Sequence, residues 1–470
     1  MSSTLIISVI IIYFLVLVGI SFLTGKSDSN ASFFSGDKQS PWYIVAFGMI
    51  GASLSGVTFI SVPGWVEASE FSYMQMVFGY LLGYLVIATV LMPLYYRMNL
   101  TSIYGYLQRR FGNSSYKTGA IFFLISRIIG ASFRLYLVAN VLQMAIFDTW
   151  GVPFEITVIV TILLIWVYTF RSGIKTIIWT DTLQTLFMLV AVFLSVYLIS
   201  VDMNLNFTSL ISTVKESDYS QMFFWEGKQH FVRQFLSGAF MAIVMTGLDQ
   251  DMMQKNLSCK SLGDAQKNMF WFSIVLVFVN LLFLFLGALL YMYAETNGIS
   301  FNRADDLFPA VALNGELGIG VGVLFILGLI AAAYSSADSA LTSLTTSFCI
   351  DLLDFDLNSG VKEIKQRKFV HLGFSILLVL VILVFKSIND DSVISALFKV
   401  AGYTYGPLLG MYAFGLFTKL SVKDNWVPLV AVFSPVACYI IQLYIPFGFE
   451  LLMLNGLITF LGLYLFRVSR

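Results

Sequence analysis

The residues with the most chemical promise cluster in the stretch from Leu329 to Leu341, which holds Tyr334, Ser335, Ser336, Asp338 and Ser339 among alanines. Residues three and four apart share a helix face. Ala332, Ser335 and Ser336 therefore form one patch, and Ser335, Asp338 and Ser339 a second, one turn further on. Hydroxyls, a carboxylate and backbone carbonyls are hard oxygen ligands of the kind an alkali cation takes. The plainer reading is that the serines bond back to their own helix and Asp338 only pairs with a base. A second stretch, Ser172 to Gln184, carries Asp181 six residues beyond Lys175, roughly 9 Å along a helix. If Asp181 approaches Asp338, both stay charged only with a cation between them; otherwise one holds a proton. A third stretch, Ile44 to Val66, holds Gly48, Gly51, Ser53, Ser55, Gly56, Thr58, Ser61 and Pro63. Glycine density and a proline weaken a helix, which predicts an unwound middle whose carbonyls are free to bind. Small residues also let helices pack closely, the alternative reading. Finally, Arg127 and Arg134 stand seven residues apart on one helix face. They read either as a guanidinium fork for a solute carboxylate or as partners of protein acids and carbonyls.

The elements that must carry these residues are membrane helices. Of the 470 residues, 58% are hydrophobic and 11% charged, against about 25% charged in a soluble domain. Apolar runs long enough for ~30 Å of hydrocarbon recur near 4–24, 42–67, 71–97, 117–147, 153–171, 175–201, 229–252, 266–294, 318–350, 367–386, 391–418, 426–446 and 449–467. That is about thirteen spans and one membrane domain over 1–470. The start lacks a basic region before its apolar run, so 4–24 reads as a permanent span rather than a cleaved leader. Net charge is +0, which excludes a nucleic-acid footprint. Three scattered cysteines and two histidines supply no metal cluster. No nucleophile, base or metal site converges, so the chain is not expected to be an enzyme.

Basic residues then orient the spans. Lys26, Lys38, Arg97, Arg109, Arg110, Lys117, Arg171, Lys175, Lys255, Lys260 and Lys267 fall in connections on one side. Lys362, Lys365, Arg367, Lys368, Lys419, Lys423, Arg467 and Arg470 fall on that side too. Only Lys215, Lys228, Arg233, Arg303 and Lys386 lie opposite, where Glu67, Glu70, Glu295, Asp305, Asp306 and Glu316 accumulate. The bias predicts the N-terminus outside and the C-terminus in the cytoplasm.

With these residues in place the chain resembles the sodium/solute symporter family. The likeness runs through Ser172–Gln184, Ala331–Leu341, Gly402–Gly410 with Leu416-Phe417-Thr418-Lys419, Gln250-Asp251 with Gln254-Lys255, and Leu100-Thr101-Ser102 with Tyr106-Leu107 and Arg110-Phe111. It implies an all-α membrane fold of two inverted five-helix repeats of the leucine-transporter type with a broken second span. The repeats would cover 42–201 and 229–418, with an extra span at 4–24 and two more in 426–470. It implies a main sodium site from the carbonyls of Gly51, Leu54 and Ala332 and the hydroxyls of Ser335 and Ser336. Some members hold a second cation, here matching Asp181, Ser335, Asp338 and Ser339. Asp338 departs from the hydroxyl residue found there in relatives, which points to tighter sodium binding or to a proton. Ser53, Ser55 and Thr58 match solute-contacting positions, and Gln75 on the next span is a further candidate. Some members place a solute-binding arginine nearest Gly130, between Arg127 and Arg134.

The activity implied is sodium-coupled import of a small polar organic solute by alternating access, the solute being sialic acid or another carboxylate, or a sugar. The rivals are proton-coupled symport on the same fold, through Asp181 and Asp338, and a membrane sensor. Sodium is the coupling ion, with no other cofactor. The expected setting is a multi-pass protein of the bacterial inner membrane, in contact with lipid and functional as a monomer.

Overall fold

The structure, a computed structural model, describes residues 3–24, 29–170, 173–314, 317–356, 360–388 and 393–468. Lys26, Arg171, Ser172, Glu316 and Arg470, and residues 391–392 of the eleventh expected run, lie outside the described residues. Among the described residues the chain is nearly all helix. The principal helices are α1 (Ser3–Thr24), α2 (Trp42–Gly64), α3 (Tyr73–Val86), α4 (Asn113–Leu142), α5 (Phe154–Thr169), α6 (Ile174–Asp202), α7 (Phe231–Ala242) and α8 (Gln250–Leu257). They continue with α9 (Leu262–Thr296), α10 (Gly318–Ser347), α11 (Val361–Ile388), α12 (Val393–Thr404), α13 (Gly406–Phe417), α14 (Val427–Tyr444) and α15 (Leu451–Leu465). Every apolar run expected from the sequence coincides with one of these helices or with a consecutive pair. Among the described residues, nine helices are long and apolar enough to cross a membrane, or ten if α7 and α8 form one bent span; four more apolar helices are shorter.

The packing order follows from which faces are polar or small. Helices α2, α6 and α10 pack on one another, α9 closes against α2, and α4 lies along α10. Helix α1 leans on α6 and leaves Leu15, Phe22 and Leu23 exposed, as do Phe193 on α6, Phe278 on α9 and Phe369 on α11. Large apolar side chains on the outer surface are what hydrocarbon, not water, favours. Helices α3 and α7 approach until their backbones touch. A Cβ on Gly79 would stand 2.0 Å from the Phe235 carbonyl oxygen, and one on Gly238 would stand 2.1 Å from that of Met76. Small residues are how membrane helices gain contact where no hydrophobic drive exists between them.

The expected break in the second run is present, but not through glycine. Ser55 is the non-helical residue within α2, at φ 42 and ψ 171. A left-handed conformation costs an L-residue roughly 1–2 kcal/mol, so the surrounding packing must hold it there. The glycines serve close approach instead: a Cβ on Gly51 would meet Thr185 Oγ1 at 2.2 Å. A second break was not foreseen. Helix α7 runs through a wider turn to Gly247 and the chain then bends by 64° into α8. Asp249 caps α8, its Oδ1 accepting from the amides of Asp251 at 2.9 Å and Met252 at 3.3 Å. The eleventh run also divides, at Tyr405, into α12 and α13.

A Gly238→Val substitution should force α3 and α7 apart and cost about 2 kcal/mol or more. Its thermal midpoint in detergent should fall by several degrees, whereas Gly373→Ala, whose Cβ would meet nothing within 4 Å, should leave it unchanged. Equal midpoints for Gly238→Val and the unaltered protein would refute the close-contact reading.

Candidate solute and cation site

Helix α6 is the surface on which the cation candidates meet. The Gly51 amide donates to Thr185 Oγ1 at 3.0 Å, and the Thr185 hydroxyl donates to the Asp181 carbonyl at 2.7 Å. One turn earlier, a Cβ on Gly48 would touch the Asp181 Cβ at 3.0 Å. From the other side the Ser335 hydroxyl donates to Asp181 Oδ1 at 2.6 Å. A Cβ on Gly56 would stand 4.0 Å from the Ala333 Cα. Residues 48–56 of α2 and 333–335 of α10 are thus drawn together around Asp181 and Thr185. Gly51 and Leu54 lie in the turn before the Ser55 break, where the helical ladder gives out and carbonyls lose their regular donors. Ala332, Ser335 and Ser336 are buried on α10, which packs against α2. The Ser336 hydroxyl has no hydrogen-bond partner among the described residues. A buried unpaired hydroxyl costs about 1–3 kcal/mol, a cost that binding an ion would relieve.

The second candidate group is arranged differently from the sequence expectation. Asp181 and Asp338 are both fully buried, but a protein cation already serves Asp181: Lys255 Nζ donates to Asp181 Oδ2 at 2.6 Å. Asp338 Oδ2 accepts from the Tyr168 hydroxyl at 3.0 Å, and its Oδ1 from the Ser339 amide at 2.6 Å. The Ser339 hydroxyl is buried beside Asp181. Lys255, expected in a cytoplasmic connection, is instead 1% exposed, on an eight-residue helix, α8, that is buried at every position. Polar as α8 is, each face finds a partner. Gln250 bonds Thr101 and Ile103, Gln254 bonds Phe34 and Thr346, and Asn256 bonds Asn268.

A cavity of about 90 Å³ lies beside the broken part of α2. Ser53, Ser55 and Thr58 line it, as expected, with Arg127 and Arg134 on α4. The two arginines differ. Arg127 is ion-paired with Asp251, and its Nη1 lies 4.0 Å from Asp249 Oδ2; Asp249 in turn accepts from the Tyr405 hydroxyl. Arg134 is 7% exposed and makes no hydrogen bond or ion pair with the described residues, and its Nε is buried and unpartnered. Gln75 is not among the residues that line this cavity. Its Nε2 donates to the Gln229 carbonyl at 2.9 Å and its Oε1 accepts from the Phe224 amide at 3.1 Å, so both ends of the amide are spent on an outer connection. Sequence reasoning missed Asn280, Thr246, Tyr80 and Tyr84, which also face the cavity. Asn280 was findable as an amide in the middle of the apolar α9 run, where polar side chains mark function by default. Thr246, Tyr80 and Tyr84 carry no such signal.

A family model described as the sodium:solute symporter family matches residues 33–422. The sodium/sialic acid symporter NanT of Aliivibrio fischeri is 24% identical over 419 residues, 86% of this chain and 80% of the relative. The sodium/sialic acid symporter SiaT of Proteus mirabilis is 22% identical over 86% of this chain and 82% of its own length. Human sodium-coupled monocarboxylate transporter 1 is 24% identical over 84% of this chain and 66% of its own length. Among solved structures, a substrate-bound, outward-open sodium-coupled sialic acid symporter superposes with a TM-score of 0.82 at 19% identity, covering 98% of this chain and 97% of that one. Mhp1, a nucleobase-cation-symport-1 family transporter in a closed conformation, gives a TM-score of 0.56 at 15% identity over 93% and 94% of the two chains. The fold is therefore that of sodium-coupled symporters with the Mhp1-type architecture, and the relatives are transporters, not enzymes. Matched by its family model over most of its length, this multi-pass chain belongs to the sodium:solute symporter family.

Proposed function

We propose that the chain imports a small organic anion, a carboxylate, together with sodium, by alternating access across the bacterial inner membrane. The observation that carries the solute assignment is Arg134: a buried guanidinium on the cavity wall that makes no hydrogen bond or ion pair with the described residues. An unpaired charge in a membrane interior is expensive, and the fixed fork of five donors suits a carboxylate in two-point contact. Arg127 is an inferior candidate because Asp251 already neutralises it. Ser53, Ser55 and Thr58 on the same cavity supply hydroxyls for the remaining polar groups of the solute.

Coupling is assigned to the carbonyls of Gly51, Leu54 and Ala332 with the hydroxyls of Ser335 and Ser336. The orphaned Ser336 hydroxyl beside the interrupted turn of α2 supports this. Because Ser53 and Ser55 lie on that same turn, ion and solute would order one segment between them, and binding of either would favour the other. The same reading keeps the N-terminus outside and the C-terminus in the cytoplasm. It also divides the chain into inverted repeats over 42–201 and 229–418. Each repeat opens with a broken helix, at Ser55 and at Leu248-Asp249, which supports that division.

Uptake into proteoliposomes, with sodium and pH gradients varied independently, tests the assignment; uptake driven by a proton gradient and indifferent to sodium would reject it. Ser336→Ala should raise the half-activating sodium concentration about tenfold, the loss of one ion contact worth ~1.4 kcal/mol. Ser343→Ala, whose hydroxyl donates to its own helix at Ala340, should leave it unchanged. Arg134→Gln should weaken carboxylate affinity about 30-fold, the ~2 kcal/mol of a charged hydrogen-bonded contact, with thermal stability kept. Arg127→Gln should instead destabilise the protein by about 3 kcal/mol, since it strands Asp251. The reverse pattern would assign the solute to Arg127.

A further inference from the structure

The group formed by Asp181, Ser335 and Ser339 has the makings of a second cation site, yet a side chain already meets it. Asp181 is fully buried, with Oδ1 held by the Ser335 hydroxyl and Oδ2 by Lys255 Nζ, each at 2.6 Å. The buried Ser339 hydroxyl lies against the same carboxylate. Asp338 is close enough to interact electrostatically with both Asp181 and Lys255. Lys255 reaches this point from α8, which joins the bundle at the 64° bend and is fixed there by Gln250, Gln254 and Asn256. An ammonium carries the same single charge as sodium and seeks the same oxygen ligands.

We propose that Lys255 Nζ is a tethered cation standing in the second cation site, so that this transporter binds one coupling sodium, at the main site, and not two. The inference rests on the symport reading above and adds to it the number of ions and the residue that sets it. Lys255 contributes the charge that Asp181 needs without being carried across the membrane. Removing the ammonium while leaving Asp181, Ser335 and Ser339 in place empties a carboxylate-and-hydroxyl site of the size and chemistry a small monovalent cation takes.

The test is the ratio of radiolabelled sodium to solute taken up by proteoliposomes. Unaltered protein gives one sodium per solute, and Lys255→Ala gives two, with steeper dependence of uptake on sodium. Purified Lys255→Ala also gains thermal stability saturably on addition of sodium or methylammonium beyond what the unaltered protein gains. Two sodium ions per solute in the unaltered protein overturn the proposal, and so does a folded Lys255→Ala that keeps a ratio of one. Where Lys255→Ala cannot be recovered folded in any of these salts, the Asp181→Ala, Lys255→Ala double variant decides, since it removes both charges. Retention of one sodium per solute supports the proposal, and loss of sodium coupling overturns it, because Asp181 would then serve the coupling ion itself. Uptake by the unaltered protein that ignores sodium altogether sinks the symport reading and is distinct from each of these results.

Discussion

A charge inside a membrane bundle must be met by an opposite charge or by oriented dipoles, and that constraint arranges the centre of this protein. Taking an ion from water to a low-dielectric interior costs several kcal/mol even after relaxation. Asp181 is met by Lys255 and Ser335, Asp251 by Arg127, and Asp338 by the Tyr168 hydroxyl and the Ser339 amide. Three of these residues, Asp181, Asp338 and Arg127, lie on long membrane helices, whereas Lys255 and Asp251 come from α8. That short polar helix is buried at all eight positions, which is affordable only because its polar groups bond to other segments of the chain. Arg134 stands apart from this accounting. It makes no hydrogen bond or ion pair with the described residues, and in the proposed reading a solute carboxylate completes it.

The helices hold these groups in register by packing of a different kind. Gly48 and Gly51 let α2 sit on α6 at the level of Asp181 and Thr185, and any side chain there would push the α2 carbonyls away. The bend falls on Ser55, whose left-handed backbone is held in place by its neighbours, and whose hydroxyl faces the cavity. The two interruptions, at Ser55 and at Leu248-Asp249, are the places where helical hydrogen bonds are already missing. The solute cavity and the charged cluster each adjoin one of them.

Much of this was legible in the sequence because hydropathy and charge act over twenty residues at a time. The thirteen apolar runs, the serine-rich face of α10 and the interrupted second run needed no tertiary information. What failed was reading where a polar residue ends up. Lys255 sits in Gln250–Leu257, a stretch as polar as any surface loop, and nothing local says that α8 folds back into the bundle. Its burial is decided by the bend after Gly247 and by partners as distant in sequence as Phe34 and Thr346. Gln75 shows the reverse: an amide on a membrane helix reads as solute-binding, yet here an outer connection occupies both its ends. The break in α2 was placed correctly for a partly wrong reason. Glycine density marked the segment, but the glycines are there to let helices touch, and a serine carries the strain.

The most direct trial of the account is thermal stability of the purified protein across short carboxylates, sialic acid, sugars and amino acids, each with and without sodium. A completed Arg134 predicts that a carboxylate raises the midpoint, that it does so only when sodium is present, and that neutral sugars do nothing in either condition. Stabilisation by a sugar, or by a carboxylate to the same extent in sodium-free buffer, would contradict it.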